Sequence, residues 1–418
     1  MRIDCYTWGT RLVFFMVVCT FYGCTSTQKR AMKTGSIEYG TVEYGIQGGI
    51  AHELIWPIPP ETPRIQYQGQ IRSQYSLGYE HSFWSKIKQA VLGIAPTEVV
   101  SVYRPFDVYV DLSGNILVSD GSQPAITVFD PVSKTAKKII PSGSAALAKP
   151  MGITGDAQGN IYVADPIQRR IVAIDIDGNF IQAYGGQDLL LNPIDVAVAP
   201  ESGHVYVVDS YLHQLLIFDH DGNLLRKVGR DTGNLHAKNE RRQSHVIGLD
   251  NSHRDGESSD LVENRSKSKG EFHYPAFVAV APDGTVLVSD GMNFRIQAFD
   301  AHGDFKHAFG DHGDTPGAFA RPKDLAVDSE GHVYVVDAAF NNIQIFDQSG
   351  QLLLTFAAVG SGPGDLYVPI GIDIDEQDKI YVADRYNNRL QIYQYLPEAT
   401  EAVPRPQLLP ASGRSQHH

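Results

Sequence analysis

Six prolines punctuate the chain at Pro105, Pro150, Pro193, Pro275, Pro322 and Pro369, and the residues two places after them are Asp107, Gly152, Asp195, Phe277, Asp324 and Gly371. Carboxylates therefore recur on alternate copies. Three acids related by near-threefold symmetry have the oxygen chemistry to hold a hard divalent cation. A short carboxylate beside a turn can instead accept hydrogen bonds from neighbouring backbone amides, and the sequence leaves both uses open. The histidines offer no comparable set. His204, His220, His302 and His332 fall in hairpin turns, His213 in another turn and His273 two residues before Pro275. None lies in the first apolar run of a copy, whereas zinc ligands must converge within about 2 Å of one point. No glycine-rich phosphate loop, Ser/His/Asp order or nucleophilic cysteine is visible.

The elements that carry these residues repeat. An Asp closes the second apolar run of each copy at Asp120, Asp165, Asp209, Asp290, Asp337 and Asp384, with successive spacings of 45, 44, 81, 47 and 47 residues. The long interval marks an insertion at 230–270. Each copy reads as short runs rich in Val, Ile and aromatics, bounded by Gly, Asp and Asn, which are strand signals. Turns such as Asp177-Gly178, Asp221-Gly222 and Asp283-Gly284 supply the positive φ that a tight hairpin needs. Four antiparallel strands joined by hairpins cannot bury both faces alone, so the expected fold is all-β: a six-bladed β-propeller of four-stranded antiparallel blades. The sixth copy supplies three strands before a Pro-rich tail. The alternating segment 63–72 is expected to return as its fourth strand and to seal the ring, which removes an open edge. Between that strand and the first copy, 82–93 has the apolar spacing of a helix, packed as a plug on one propeller face.

The copies resemble NHL repeats, whose phrase runs P-x-G/D-V-A-V-D, then G-x-I-Y-V-A-D, then N-x-R-I-Q-V-F. "VSDGMNFRIQAFD" from Val288 and "VADRYNNRLQIYQ" from Val382 are near copies, and the likeness extends from about Pro105 to Leu396. The resemblance implies a closed propeller, and the closing Asp with the Asn or Arg after it reads as bracing one turn per blade, because Asp and Asn satisfy backbone groups between the second and third strands. The fold resembles that of the lyase acting on peptidyl hydroxyglycine, which implies an axial histidine zinc site that this chain's histidine distribution does not match. Propeller lactonases imply an axial calcium site of carboxylates and amides. By that comparison Asp107, Asp195 and Asp324 are the candidate metal ligands, and no other cofactor is expected.

The first residues stand apart. Arg2 and Arg11 flank a short n-region, and the apolar run after it at 12–23 is too short to span a bilayer and is followed by Cys24. Cys5, Cys19 and Cys24 are the only cysteines, so cleavage before Cys24 leaves a single one, at the mature N-terminus, and no disulfide in the folded part. The arrangement resembles a bacterial lipoprotein signal, although Phe21 and Tyr22 are bulkier than the usual pattern. It implies lipid attachment at Cys24, export to the periplasmic side of the envelope and, since Thr25 is not an acidic retention residue, the outer membrane. The domain reading is a signal peptide at 1–23, a tether at 24–62, the propeller at 63–396 and a disordered tail at 397–418. A net charge of −13, with no basic patch interleaved with aromatics, argues against nucleic acid as a partner.

In a propeller with this strand order, the turns between second and third strands share a face with the links between blades. The candidate binding face there comprises Tyr211, His213, Asn293, Arg295, Asn341, Asn342, Tyr386, Asn387 and Arg389, with the charged insertion as a loop above it. The function expected is a membrane-anchored scaffold that binds an envelope protein, peptide or glycan. The alternative is a metal-dependent propeller hydrolase or lyase with an axial site.

Overall fold

The computed structural model describes residues 54–78, 99–230 and 268–397. Cys24, the expected helix at 82–93, nearly all of the insertion and the tail from 398 lie outside those residues. Among the described residues no helix is long and apolar enough to cross a membrane.

Six antiparallel sheets surround one axis. Blade one comprises Asp107–Val110, Ile116–Ser119, Ile126–Asp130 and Thr135–Ile139, and the same order repeats through blade five, which ends with Leu352–Phe356. The first strand of every blade touches the first strands of its neighbours, so these six strands form the inner ring. Second and third strands are buried on both faces: Val205–Asp209 and Gln214–Phe218 have no exposed residue. The outer strands of blades one, four and five alternate, as in Phe305–Phe309, because one side meets the next blade and the other meets water.

The turns follow from the sequence. Gly178, Gly222, Gly284 and Gly303 adopt φ of 82–86° at the hairpins. An Asp sits four residues before the final position of most hairpins, although Ala281 takes that place in blade four. It accepts two amides of its own turn, as Asp175 does from Asp177 and Asn179 and Asp328 does from Glu330 and His332.

Blade six closes the ring. Its strands Pro369–Ile374, Lys379–Asp384 and Arg389–Tyr395 are completed by Ile65–Ile71, which pairs antiparallel with the last of them, Ile65 opposite Tyr395 and Ile71 opposite Leu390. Ile65 and Tyr67 pack against blade five, and beyond a register shift between Tyr67 and Gly69 the buried Ile71 packs against blade one. A short fifth strand, Ile55–Trp56, falls in the segment that composition reads as tether. Its Trp56 ring packs 6.0 Å from Phe356 and 5.9 Å from Tyr393, which covers the edge left by Ile65–Ile71.

Candidate functional site

The three alternating carboxylates do converge on the axis, but backbone amides occupy them. Asp107 accepts from Val108 at 2.8 Å and from Ile153 on blade two at 2.8 Å. Asp195 accepts from Val278 on blade four at 2.9 Å, and Asp324 accepts from Leu325 and, on blade six, Ile372, both at 2.8 Å. Each odd blade thereby clamps the inner strand of the even blade after it. The glycines between them have a steric reason: a Cβ at Gly152 would collide with Asp195, and one at Gly371 with Asp107.

Burial pushes the carboxyls of Asp195 and Asp324 well above the ordinary range, with mutual repulsion adding to it, and pushes Asp107 up to about 7. Asp373 on blade six, which sequence reading passed over, accepts from Val110 at 2.7 Å and is likewise pushed up to about 7 by burial. These acids border a cavity of about 280 Å³ that continues along the inner strands toward the hairpin face. The carboxylates do not fit a cation site. Their oxygens serve the interblade amides, and among the described residues no three His, Cys, Asp or Glu side chains are arranged to hold a metal ion.

The axis turns apolar where Phe106, Met151 and Ile370, each one residue before the carboxylate layer, meet Phe277, which holds the layer position on blade four. Phe106 from blade one stacks on Phe277 from blade four, centroids 5.6 Å apart, and Met151 and Ile370 pack in the same cluster. This plug separates the carboxylates from the opposite face.

That opposite face carries the links. The register places Pro193 opposite Asp209, Asp209 opposite Gln214 and Gln214 opposite Gly229, so interblade links and second turns open together. The closing Asp ties them to one another: Asp209 accepts from Leu191 and Asn192 of the link and from Tyr211 and Leu212 of the turn.

The nine residues expected to present this face divide. Arg389 is turned inward at 1% exposure, where its guanidinium donates to Asp384, Gln70 and the carbonyls of Ser361, Gly362 and Asp365. Arg295 and Asn293 donate to Asp290 in the same way, and Asn387 donates to Asp384. Asn341 accepts from the Val368 amide at 2.7 Å, and Asn342 is half-buried. These side chains brace turns because a buried carboxylate needs several donors. His213 accepts from the Tyr274 amide at 2.9 Å.

Tyr211 and Tyr386 do face solvent, and each has an exposed partner that the repeat did not single out. Tyr211 stands edge-on to Tyr274 at 6.4 Å, with His213 and His273 beside Tyr274, while Tyr386 stands edge-on to Tyr367 at 5.6 Å. Both partners sit in links just before a proline, where no repeat position draws attention to them.

The NHL repeat family matches residues 190–218, 272–299, 319–346 and 366–393. The chain carries NHL repeats. The four matched NHL repeats are blades three to six, and blades one and two share their strand order. No curated protein matches the chain. Among solved structures, a gluconolactonase from Xanthomonas campestris is similar at 16% identity and TM-score 0.49, over 71% of this chain and 86% of that one. A catalytically inactive virginiamycin B lyase from Staphylococcus aureus, solved with quinupristin, is similar at 13% identity and TM-score 0.47, over 72% and 84%. At these values the likeness says nothing about the NHL propeller's chemistry.

Proposed function

We propose that this NHL propeller is a noncatalytic binding scaffold of the cell envelope, anchored through a lipid on Cys24, whose link-side face holds a protein, peptide or glycan. The observation that supports this reading is the aromatic lining of that face. Tyr211, Tyr274, Tyr367 and Tyr386 are 58%, 45%, 47% and 49% exposed and stand in two pairs, although none is needed to fill a core. Single exposed aromatics are ordinary, but paired tyrosines on one face give large contact area at low entropic cost. A metal-dependent hydrolase would draw on Asp107, Asp195 and Asp324. Those carboxylates are committed to interblade amides and lie beyond the Phe106 and Phe277 plug.

The test is capture of a crosslinked envelope partner by purified propeller. Tyr274→Ala with Tyr386→Ala should reduce capture about tenfold or more at unchanged melting temperature, since aromatic anchors dominate interfaces. Capture that survives this pair but disappears when the hairpin-face Leu112 is replaced would move the binding surface to the opposite side.

A further inference from the structure

The centre of the link-side face is cationic in a chain whose net charge is −13. The position after each repeat proline holds Phe106, Met151, Ile194, Ala276, Lys323 and Ile370, a collar around the axis that is apolar at five places and carries a lysine at the sixth. A charge there adds nothing to packing. Arg385 lies with its guanidinium carbon 5.9 Å above the Phe106 ring, and Arg104 lies 5.5 Å above Tyr386. Arg385 is half-buried, and its Nη1 is enclosed without a hydrogen-bond acceptor among the described residues.

The nearby acids are already committed. Asp337 accepts the amides of Ala320, Arg321, Ala339 and Phe340, and Asp120 accepts the Ser122 hydroxyl and the amides of Ser122 and Gln123. Burial, then repulsion from Arg321 and Arg385 against the pull of Asp337, holds Lys323 below the usual lysine range. Burial and Arg104 act on Arg385 in the same direction, against the pull of Asp120 and Tyr386. Like charges gathered over an apolar floor repel one another, and a single anion between them reverses that balance at low local dielectric.

We propose that Arg104, Arg321, Lys323 and Arg385 form a site at the axis of the link-side face that binds one oxyanion, a carboxylate or a phosphoryl group, of the ligand. This site deepens the reading of that face as the binding face and rests on it, and Tyr386 of one tyrosine pair lies against Arg104.

The experiment is melting of the purified propeller with inorganic phosphate and, in a second arm, with succinate, each against chloride of equal ionic strength. Lys323→Met with Arg385→Gln is compared with wild type and with Lys227→Gln, a substitution on an outer strand. At ten times the dissociation constant, a bound anion raises the midpoint of a domain this size by about 2 °C. The wild type and Lys227→Gln should show that rise and the double variant should lose it. A rise with phosphate alone assigns a tetrahedral oxyanion, one with succinate alone a carboxylate, and one with both a general oxyanion site. No rise in either arm, or an equal rise in the double variant, overturns the site. Should the double variant fail to fold, the exposed Arg104→Gln replaces it with the same criterion. Because this assay contains no envelope partner, its failure leaves the tyrosine capture result standing, and failed capture leaves the anion result standing.

Discussion

Phe106 and Phe277 stack face to face at 5.6 Å, with 23° between their rings, although they belong to blades one and four on opposite sides of the axis. Phe277 occupies the position where blades two and six place Gly152 and Gly371, and its backbone amide donates to Ser289. One large side chain in place of a glycine thus closes the channel. Phe277→Ala should lower stability by about 3–5 kcal/mol. Its combination with Phe106→Ala should cost less than the two singles added, because they share one contact. Denaturant midpoints of the three variants check this, and full additivity would show that the rings do not depend on each other.

The axial acids set a pH dependence. Asp107 and Asp373 are pushed up to about 7 from 3.8, so the folded chain keeps protons that the unfolded chain has lost. Their contribution is fully present below the unfolded value and is lost as pH rises through about 7. Melting temperature should therefore fall between pH 5 and pH 8. Asp373→Asn, which keeps an acceptor for the Val110 amide, should flatten that fall, and an unchanged slope in this variant would exclude Asp373 as a contributor.

Arg389 is a brace, and its loss should be felt in stability. Arg389→Ala leaves Asp384 and four other acceptors without their donor in a buried place, at a cost of about 3–5 kcal/mol. Arg389→Lys should recover little, because one ammonium cannot span the five acceptors that the guanidinium fork reaches. Chemical denaturation distinguishes this from a surface role, in which both variants would melt like the wild type.

Closure rests on the strand that returns from the N-terminal side. Ile65→Asp places a charge at a site with 0% exposure opposite Tyr395 and should detach Ile65–Ile71 from blade six. The freed edge should make the protein aggregate as well as melt earlier, which light scattering during a thermal ramp would record. A variant that melts early without aggregating would mean that another segment covers that edge.

Anchoring is tested separately from folding. Cys24→Ser should shift the protein from the membrane fraction to the soluble one while its melting curve stays that of wild type. Multiple acyl chains hold a protein far more firmly than one. Continued membrane association of the variant would assign attachment elsewhere.

The sequence by itself determined the number of blades, the closing strand at 63–72 and the bracing role of the Asp that ends each second strand. The blades and braces are periodic, because every copy must solve the same local problem of pairing hairpins and satisfying link amides, and the sixth copy's missing fourth strand points to 63–72. It also placed the second turns and the links on one face, since strand order alone fixes which ends coincide. What it left open at Asp107, Asp195 and Asp324 was decided by distance across the ring: each acid finds its amide on the neighbouring blade, 46, 83 and 48 residues away. For the same reason the inward turn of Arg389 and Arg295 was hidden, because burial of an arginine depends on carbonyls from a link some 24 to 28 residues earlier. Tyr274, Tyr367 and Lys323 occupy no signature position in the repeat. Only the radial arrangement of six sheets, which brings every link and collar residue toward one axis, turned them from unrelated side chains into a surface.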